Sequence, residues 1–246
     1  MAHMNDEKVV PYSNLKEGKK KQVEMMFDNI AHRYDLLNLI LSFGIFKYWL
    51  NELVKIATDS KPARVLDVAT GTGDVAIALA RKKVQSVTGL DLSPEMLRFA
   101  SIKVAKEKLS HQVNFIKGDG ENLPFNENEF PIITVAYGVR NFENLEQGLK
   151  ELYRVLAPDG RLIILEFSTP RSKFIKKVFG FYFNKICPLI GKLIAGDGSA
   201  YTYLPKSVQI FPYGNTFTDL LLKNGFQTAT CKSLTFGIAS LYTAVK

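Results

Sequence analysis

Cysteine and histidine are scarce in this chain of 246 residues. Its two cysteines, Cys187 and Cys231, provide neither a disulfide framework nor the spacing of metal ligands. Its three histidines form no zinc-type cluster, so we expect no metal site. Few cysteines and no disulfide framework are typical of a reducing compartment, and we expect the protein in the cytoplasm.

Long hydrophobic runs are also missing. No uninterrupted apolar stretch reaches the roughly 18 residues that a membrane span needs, and no signal peptide, internal repeat or low-complexity segment stands out. Residues 1–4 have the form of a cloning remnant, so we assign 1–21 to a tag remnant and a mobile N-terminus. The lysines at 19–21 are interpreted as a solvated helix start.

The composition is that of a globular protein with a basic surface. Hydrophobic residues make up 46% of the chain and the formal net charge is +8. A chain of this length can bury a large core as a single domain, which we place at 22–246. The positive charge favours an anionic partner surface, either nucleic acid or membrane.

The order of the apolar segments predicts an α/β fold. Strand-like and helix-like segments alternate from residue 64 to residue 167, a pattern typical of a doubly wound parallel sheet. Two adjacent strands at 225–233 and 238–246 have no helix between them and predict an antiparallel edge hairpin. The predicted strands are 64–69, 86–90, 113–117, 132–137 and 161–167, and the predicted helices are 74–82, 94–108 and 145–156. Helices within 22–60 precede the first strand and are predicted to cap the sheet.

A glycine turn follows the first predicted strand. Gly71 and Gly73 allow a tight turn against which a ligand can lie. Their spacing to Ala76 fits a dinucleotide fingerprint. However, the carboxylates of Asp67 and Asp74 flank the turn and would repel a pyrophosphate, which prefers the positive end of a helix. They favour a phosphate-free nucleoside with positive charge, such as S-adenosylmethionine.

Acidic residues also follow the second and third predicted strands. Asp91 ends the second strand and can accept hydrogen bonds from two ribose hydroxyls. Asp119, with the backbone at Gly120, can accept one from an adenine amino group. Ligands of open α/β sheets bind outside the carboxyl ends of the strands, so Asp67, Asp91 and Asp119 are predicted to face one crevice.

Residues 171–215 are predicted to be an insertion. Between 171 and 196 the sequence combines six basic residues with many large apolar ones and contains no acid. Such a segment suits a lid over an apolar ligand or a contact with a membrane surface. Ordinary packing of a cap helix explains it as well, and aromatic interleaving also occurs in nucleic-acid binders.

Several motifs together resemble a known family. The runs 68–74 and 90–97 resemble class I methyltransferases in general. The runs Tyr-Asp-Leu-Leu-Asn at 34–38, Tyr-Gly-Val-Arg-Asn-Phe at 137–142 and Leu-Glu-Phe-Ser at 165–168, with Tyr201-x-Tyr203-Leu204, resemble the ubiquinone/menaquinone biosynthesis C-methyltransferases (UbiE/MenG type). The resemblance extends from about residue 24 to the C-terminus.

The resemblance implies a cofactor, a substrate and part of a site. The cofactor is S-adenosylmethionine, with donor contacts at Thr72, Asp91, Asp119 and Gly120 beside the turn of Gly71 and Gly73. Many family members carry a serine where this chain has Ala136, so one polar contact to the donor is absent. The implied substrate is a polyprenylated hydroquinone, which would bring the protein to the inner face of the cell membrane as a peripheral protein without a span.

Methylation of a ring carbon needs an ionised or polarised hydroxyl on the acceptor. Arg140 and Asn141 follow the fourth strand and can donate to the developing oxyanion, and Tyr34 on the cap can orient the hydroxyl or a water. We hypothesise these three as catalytic residues. A salt bridge of Arg140 to an Asp or Glu of the cap and a packing role of Tyr34 are the structural alternatives.

Other functions stay open on the sequence alone. A nicotinamide-dependent oxidoreductase, a methyltransferase acting on RNA or on another small molecule, and a non-catalytic protein that binds membranes or nucleic acid are the alternatives. For the preferred function we expect no nucleic-acid partner. The sequence leaves open naphthoquinol against benzoquinol, the prenyl length, the general base, the strength of membrane association and whether the protein forms a homodimer.

Overall fold

A seven-stranded sheet forms the centre of this computed structural model, which describes residues 9–190 and 199–246. The strands are β1 (Arg64–Val68), β2 (Ser86–Asp91), β3 (Val113–Lys117), β4 (Phe130–Ala136), β5 (Leu156–Phe167), β6 (Thr228–Leu234) and β7 (Ala239–Val245). Their spatial order is β3-β2-β1-β4-β5-β7-β6.

The pairing of the strands confirms the predicted fold class. β3, β2, β1, β4 and β5 are parallel, and β7 pairs antiparallel with both β5 and β6. The predicted edge hairpin is therefore present. β5 begins earlier than predicted, at Leu156 opposite Phe130, and the register then shifts so that Arg161 lies opposite Ile132. Residues 157–160, which include Pro158, Asp159 and Gly160, form this irregularity.

Helices cover the sheet and its carboxyl edge. They are α1 (Lys19–Ile30), α2 (Tyr34–Leu41), α3 (Ile45–Thr58), α4 (Asp74–Arg81), α5 (Pro94–Lys106), α6 (Leu145–Val155), α7 (Lys173–Phe181), α8 (Ser199–Ile210) and α9 (Asn215–Lys223). Short 3-10 turns lie at Ala31–Arg33, Val139–Asn141 and Thr235–Gly237, and a π-helical turn lies at Tyr182–Ile186. The predictions for α4, α5 and α6 differ from these bounds by one or two residues at most, which is the usual precision of helix ends.

The sheet separates two large hydrophobic cores. Successive side chains of a strand point to opposite faces, so Val65 and Leu66 of β1 belong to different cores. The same holds for Ile163 and Ile164 of β5. α3 and α4 cover one face, and α6 and α9 cover the other.

The N-terminal helices build a third apolar cluster at the carboxyl edge of the sheet. Val23, Met26 and Leu37 pack there with Met96 of α5 and Tyr203 of α8. This cluster holds the predicted helical cap across the ends of β1 and β2, where a ligand of this fold class would bind.

Part of the segment predicted to be mobile also packs on the domain. Val9 and Tyr12 contact the cap cluster. Lys19 is buried, and its Nζ donates to the backbone oxygens of Arg140 at 3.1 Å and Phe142 at 2.7 Å. The expectation of a solvated lysine run is therefore wrong for Lys19, because these carbonyls replace its water. Residues 1–8 lie outside the described residues.

The predicted insertion is helical where it is described. α7 contains no buried residue, whereas the π-helical turn after it buries Phe183. α8 follows residues 191–198, which lie outside the described ranges, and includes Pro205. The helix α9, just beyond the insertion, was missed by the sequence analysis. Within the described residues, no helix is long and apolar enough to cross a membrane.

Candidate functional site

The turn after β1 is shaped by its glycines. Gly71 and Gly73 have φ angles of 55° and 82°, in the left-handed region that favours glycine. A Cβ on Gly73 would lie only 3.1 Å from the Cβ of Ala100, so α5 approaches the bare backbone closely. α4 begins directly afterwards at Asp74, where a carboxylate is favoured by the helix dipole.

A lysine balances part of the negative charge beside this turn. The Nζ of Lys103 contacts Asp74 and donates to Asp35 of the cap at 2.7 Å. Thr72 Oγ1 donates to the other carboxylate oxygen of Asp35 at 2.5 Å. The Lys103 ammonium is shared between Asp35 and Asp74, so it compensates one of the two carboxylates beside the turn.

Asp67 is a buried acid that is satisfied by hydroxyls. Its two carboxylate oxygens accept hydrogen bonds from Thr70 Oγ1 at 2.6 Å and Thr134 Oγ1 at 2.7 Å. Burial raises the pKa of Asp67 to about 7, although the two hydroxyls oppose this shift. At neutral pH the group is therefore only partly charged.

Asp91 connects the end of β2 to the glycine turn. Its Oδ2 accepts a hydrogen bond from the Gly71 N–H at 2.8 Å, and its Oδ1 accepts one from the Ser93 N–H at 2.9 Å. Burial raises the pKa of Asp91 to about 6. Ser93 in turn caps α5 by accepting from the Met96 N–H at 3.0 Å. The position of this acid is therefore fixed from both sides.

The third predicted acid is paired with the cap. Asp119 Oδ2 accepts from Lys20 Nζ at 2.5 Å, and its Oδ1 accepts from the Glu121 N–H at 2.9 Å. The lysine lies 99 residues away in sequence, so no local pattern indicated this pair. The Asp119 carboxylate therefore faces a cation rather than open solvent.

Two adjoining cavities lie at the carboxyl edge of the sheet. The polar cavity is lined by Asp91, Asp119, Gly120 and Asn141, among others. The aromatic cavity is lined by Asp67, Thr72, Arg140, Asn38, Leu41, Phe46, Trp49, Phe167, Phe179, Tyr182, Phe183 and Tyr203, among others. The two cavities share the lining residues Phe27, Tyr34, Ala69, Gly71, Ala136 and Tyr137.

The prediction that three acids face one crevice is therefore correct for two of them. Asp91 and Asp119 line the polar cavity, whereas Asp67 lines the aromatic one. Asp67 is followed by Val68, the last residue of β1. Its neighbours Leu66 and Val68 belong to the core on the α6 face, and the alternation along a strand turns Asp67 to the other side.

The three predicted catalytic residues surround the boundary between the cavities. Tyr34 lines both cavities, Arg140 lines the aromatic one and Asn141 lines the polar one. Burial raises the pKa of Tyr34, so its phenol is neutral at physiological pH. The Nδ2 of Asn141 donates to the backbone oxygen of Tyr137 at 3.2 Å.

Arg140 makes the salt bridge that the sequence analysis kept as an alternative. Its Nη1 donates to Glu166 Oε1 at 2.8 Å and to the backbone oxygen of Tyr137 at 2.5 Å. The side chains of Arg140 and Glu166 are 7% and 0% exposed. Desolvation raises the pKa of Glu166, and the charge of Arg140 opposes that shift. The partner lies at the end of β5 and not in the cap.

These features define a class of protein. A parallel sheet with an antiparallel edge hairpin, a glycine turn after β1 and an acid at the end of β2 is the arrangement of class I, S-adenosylmethionine-dependent methyltransferases. Within the described ranges, no three side chains of His, Cys, Asp or Glu are grouped so that they could hold a metal.

Solved structures agree with this fold. A SAM-dependent methyltransferase from Thermotoga maritima superposes with a TM-score of 0.60 at 19% identity, covering 90% of this chain and 99% of that one. The cyclase SpnF superposes with a TM-score of 0.63 at 16% identity, covering 93% and 96%. At such identities the likeness concerns the fold alone.

Sequence relatives are much more similar. A demethylmenaquinone methyltransferase of Bacteroides fragilis is 44% identical over 98% of each chain. The ubiquinone/menaquinone biosynthesis C-methyltransferase UbiE of Geotalea daltonii is 45% identical, covering 93% of this chain and 97% of the relative. The model of the ubiE/COQ5 methyltransferase family matches residues 14–246, and the chain belongs to that family. The predicted membership is therefore confirmed.

Several residues of the site were not predicted. Lys20, Lys103 and Glu166 each pair with a predicted residue, and Tyr137 and Tyr203 line the aromatic cavity. The motifs that carry the resemblance include Tyr137, Glu166 and Tyr203, and this was the only signal for them. A lysine on a helix gives no such signal, because most are solvated.

The buried pair of Arg140 and Glu166 makes a prediction about stability. The substitution Glu166→Gln leaves a buried guanidinium without its counter-charge, and we expect a loss of about 3–5 kcal/mol in the free energy of unfolding. Urea unfolding measures it. The double variant Arg140→Gln/Glu166→Gln should lose less than the sum of the two single variants, because neither charge then stays unpaired.

An exposed ion pair is the matched control. Glu146 pairs with Lys223 at 2.9 Å, and both side chains are largely exposed. Glu146→Gln should change the stability by no more than about 1 kcal/mol. Equal losses for Glu166→Gln and Glu146→Gln would contradict the view that Arg140 and Glu166 depend on each other in the interior.

Proposed function

We propose that this protein transfers a methyl group from S-adenosylmethionine to a ring carbon of a polyprenylated hydroquinone, with demethylmenaquinol as the expected acceptor. The relatives named above carry this activity in their names. The observation that supports it best is the pair of adjoining cavities, one polar and one aromatic, with Tyr34 in the wall of both.

The polar cavity fits the donor. Asp91 offers carboxylate oxygens to ribose hydroxyls, and Asp119 and Gly120 lie in the same cavity for the adenine. Gly71 and Gly73 provide a turn without side chains, and Thr72 lies on the aromatic side of it. The Oδ1 of Asn141 is buried without a partner in the described residues, and Asn141 lines the same cavity. This oxygen can therefore accept a hydrogen bond from S-adenosylmethionine.

The aromatic cavity fits an apolar ring substrate. Its wall contains Phe46, Trp49, Phe167 and Phe179, and few charged groups reach it. Buried aromatic walls with a small number of placed polar groups are typical of sites for flat organic ligands. The donor supplies a methyl group on a positively charged sulfur. The protein's part is to orient the ring carbon toward it and to exclude water.

Arg140 is proposed to act on the acceptor oxygen. Because Glu166 balances its charge, Arg140 supports an oxyanion mainly through N–H donation rather than through net charge. Its Nε is buried and has no partner in the described residues, so an N–H group is available at the cavity wall to donate a hydrogen bond. Tyr34 and Asn141 stand on the other sides of the same boundary.

Membrane association is the finer part of the proposal. Phe43 at the end of α2 and Phe174 and Phe181 on α7 are 80%, 76% and 63% exposed. The ring of Phe43 contacts Tyr182 with 5.9 Å between centroids, which joins the two regions. Exposed lysines accompany them on α7 at Lys173, Lys176 and Lys177. We infer that this apolar and basic patch contacts an anionic membrane surface near the aromatic cavity, through which a prenylated substrate would enter.

Methyl transfer to a quinol is the direct test of the function. We expect the protein, incubated with labelled S-adenosylmethionine and reduced demethylmenaquinone, to give a singly methylated product detected by mass spectrometry. Arg140→Lys keeps the charge but loses the planar fork of donors, so we expect kcat to fall at least about tenfold with donor affinity unchanged. Arg161→Lys, in an exposed pair with Asp59, is the control.

The alternatives give different results in the same assay. Transfer to RNA with no transfer to either a naphthoquinol or a benzoquinol would contradict the quinol proposal. Full turnover of Arg140→Lys would leave quinol methylation in place and remove the role proposed for Arg140.

Donor binding is expected to depend on the ionisation of Asp91. The pKa of Asp91 is about 6, and only the carboxylate accepts from both ribose hydroxyls, so donor affinity should decrease as the pH falls through about 6. Asp91→Asn should weaken donor binding roughly 10- to 100-fold, the loss of a hydrogen bond to a charged group. Isothermal titration calorimetry measures the affinity for S-adenosylmethionine in the wild type and in Asp91→Asn. The titrations cover pH 5 to pH 8, a range chosen to include the pKa of about 6.

Asp219→Asn, on the exposed side of α9, should bind the donor like the wild type. An Asp91→Asn protein with unchanged donor affinity would contradict the contact between Asp91 and the ribose.

Vesicle binding tests the membrane proposal. We expect the protein to co-sediment with anionic vesicles and to be released by high salt, since exposed charges are screened. The double variant Phe174→Ser/Phe181→Ser should bind several-fold more weakly, because less apolar surface enters the interface. Ile102→Ser on α5, which is 53% exposed, is the control. Equal binding of all variants would contradict the patch as the contact surface.

A further inference from the structure

A buried phenol faces the aromatic cavity without a hydrogen-bond partner. Tyr203 on α8 is 2% exposed, and its hydroxyl has no partner among the described residues. Leaving a buried hydroxyl unpaired costs about 1–3 kcal/mol. Unpaired buried polar groups are rare in folded proteins, so a ligand that would satisfy this one should be sought.

The position of Tyr203 is fixed by apolar packing. Its ring belongs to the cap cluster with Met26 and Ile30 of α1. The same side chain lines the aromatic cavity together with Arg140 and Tyr34. α8 therefore brings a hydroxyl to the cavity from the side of the cap, whereas Arg140 reaches the cavity from the turn after β4.

The electrostatic surroundings define what this hydroxyl can do. Burial raises the pKa of Tyr203 to about 12, with a small opposing effect of Arg140 and a reinforcing effect of Glu166. The phenol is therefore neutral at physiological pH and acts as a hydrogen-bond donor or acceptor rather than as a base.

Tyr203 and Arg140 line only the aromatic cavity, and each carries a buried polar atom without a partner among the described residues. The hydroxyl of Tyr137 is also unpaired there, but Tyr137 belongs to the wall that both cavities share. The Nε of Arg140 and the hydroxyl of Tyr203 are both buried and unpaired in the described part of the chain. A monohydroxylated ring would satisfy one of them. A hydroquinone carries two oxygens on opposite sides of its ring and can satisfy both.

We infer that the Tyr203 hydroxyl hydrogen-bonds one ring oxygen of the acceptor while Arg140 contacts the other, so that Tyr203 orients the ring and selects substrates with two oxygens. This inference rests on the proposed function. A site built to hydrogen-bond a substrate hydroxyl discriminates strongly against an analogue that lacks it, because the group of the protein then stays unpaired.

The test combines one variant with three ligands. Tyr203→Phe removes only the hydroxyl. The ligands are reduced demethylmenaquinone with a short prenyl chain and the two prenylated naphthols that each lack one of its ring oxygens. Turnover of the quinol gives kcat/KM, and competitive inhibition by each naphthol gives its inhibition constant without requiring its methylation.

We expect Tyr203→Phe to lower kcat/KM for the quinol about tenfold, which corresponds to one neutral hydrogen bond. Inhibition by the naphthol that lacks the oxygen facing Tyr203 should change less than about twofold, and inhibition by the other naphthol should weaken about tenfold. Donor affinity should not change. Because the hydroxyl has no partner among the described residues, its removal should leave the variant at least as stable as the wild type.

Tyr48→Phe, a half-exposed tyrosine of α3 outside the lining of both cavities, is the control and should leave every constant unchanged. An equal loss with all three ligands, no loss with any, or a less stable variant would overturn the role of Tyr203 while quinol turnover by the wild type still supports the proposed function. Absence of quinol turnover by the wild type would overturn both.

Discussion

Ion pairs and hydrogen bonds hold the N-terminal cap onto the carboxyl edge of the sheet, and both cavities depend on them. Lys103 of α5 joins Asp35 of the cap to Asp74 beside the glycine turn. Lys20 of the cap reaches Asp119, and Ser93 Oγ donates to Asp28 of α1 at 2.5 Å. Lys20 and Asp28 of the cap each contact a residue that follows a strand, whereas Asp35 contacts Lys103 within α5. Without the cap, the crevice would be an open groove, and Asp67 and Asp91 would lose the burial that raises their pKa values.

The chemistry of the site is divided between two environments that share one wall. The polar cavity offers oxygens to a nucleoside, and the aromatic cavity offers ring surfaces with a few unpaired polar atoms. The cyclase SpnF has a similar fold and a different activity in its name. The common sheet thus positions a site without fixing the reaction. Some residues line only one of the two cavities, such as Tyr203 in the aromatic cavity and Asn141 in the polar one. Such residues are the candidates for selectivity toward the acceptor and the methyl donor.

Burial changes the role of each charged group in this site. Asp67 was expected to attract a cation. Burial raises its pKa to about 7, so it is only partly charged at neutral pH, and two hydroxyls donate hydrogen bonds to it. Arg140 was expected to donate to an oxyanion, and Glu166 compensates its positive charge. The electrostatic effect of these residues depends on desolvation and on partners that are distant along the chain.

Local patterns in the sequence were sufficient for the sheet, for most of the helices that cover it and for the glycine turn with Asp91. They record periodicity, turn chemistry and strand ends, and these act over a few residues. The helix α9 was missed, and so were the pairs of Arg140 with Glu166 and of Lys20 with Asp119, which join residues 26 and 99 positions apart. Only the tertiary structure decides such contacts, because packing of the cap and of β5 against the sheet brings these side chains together.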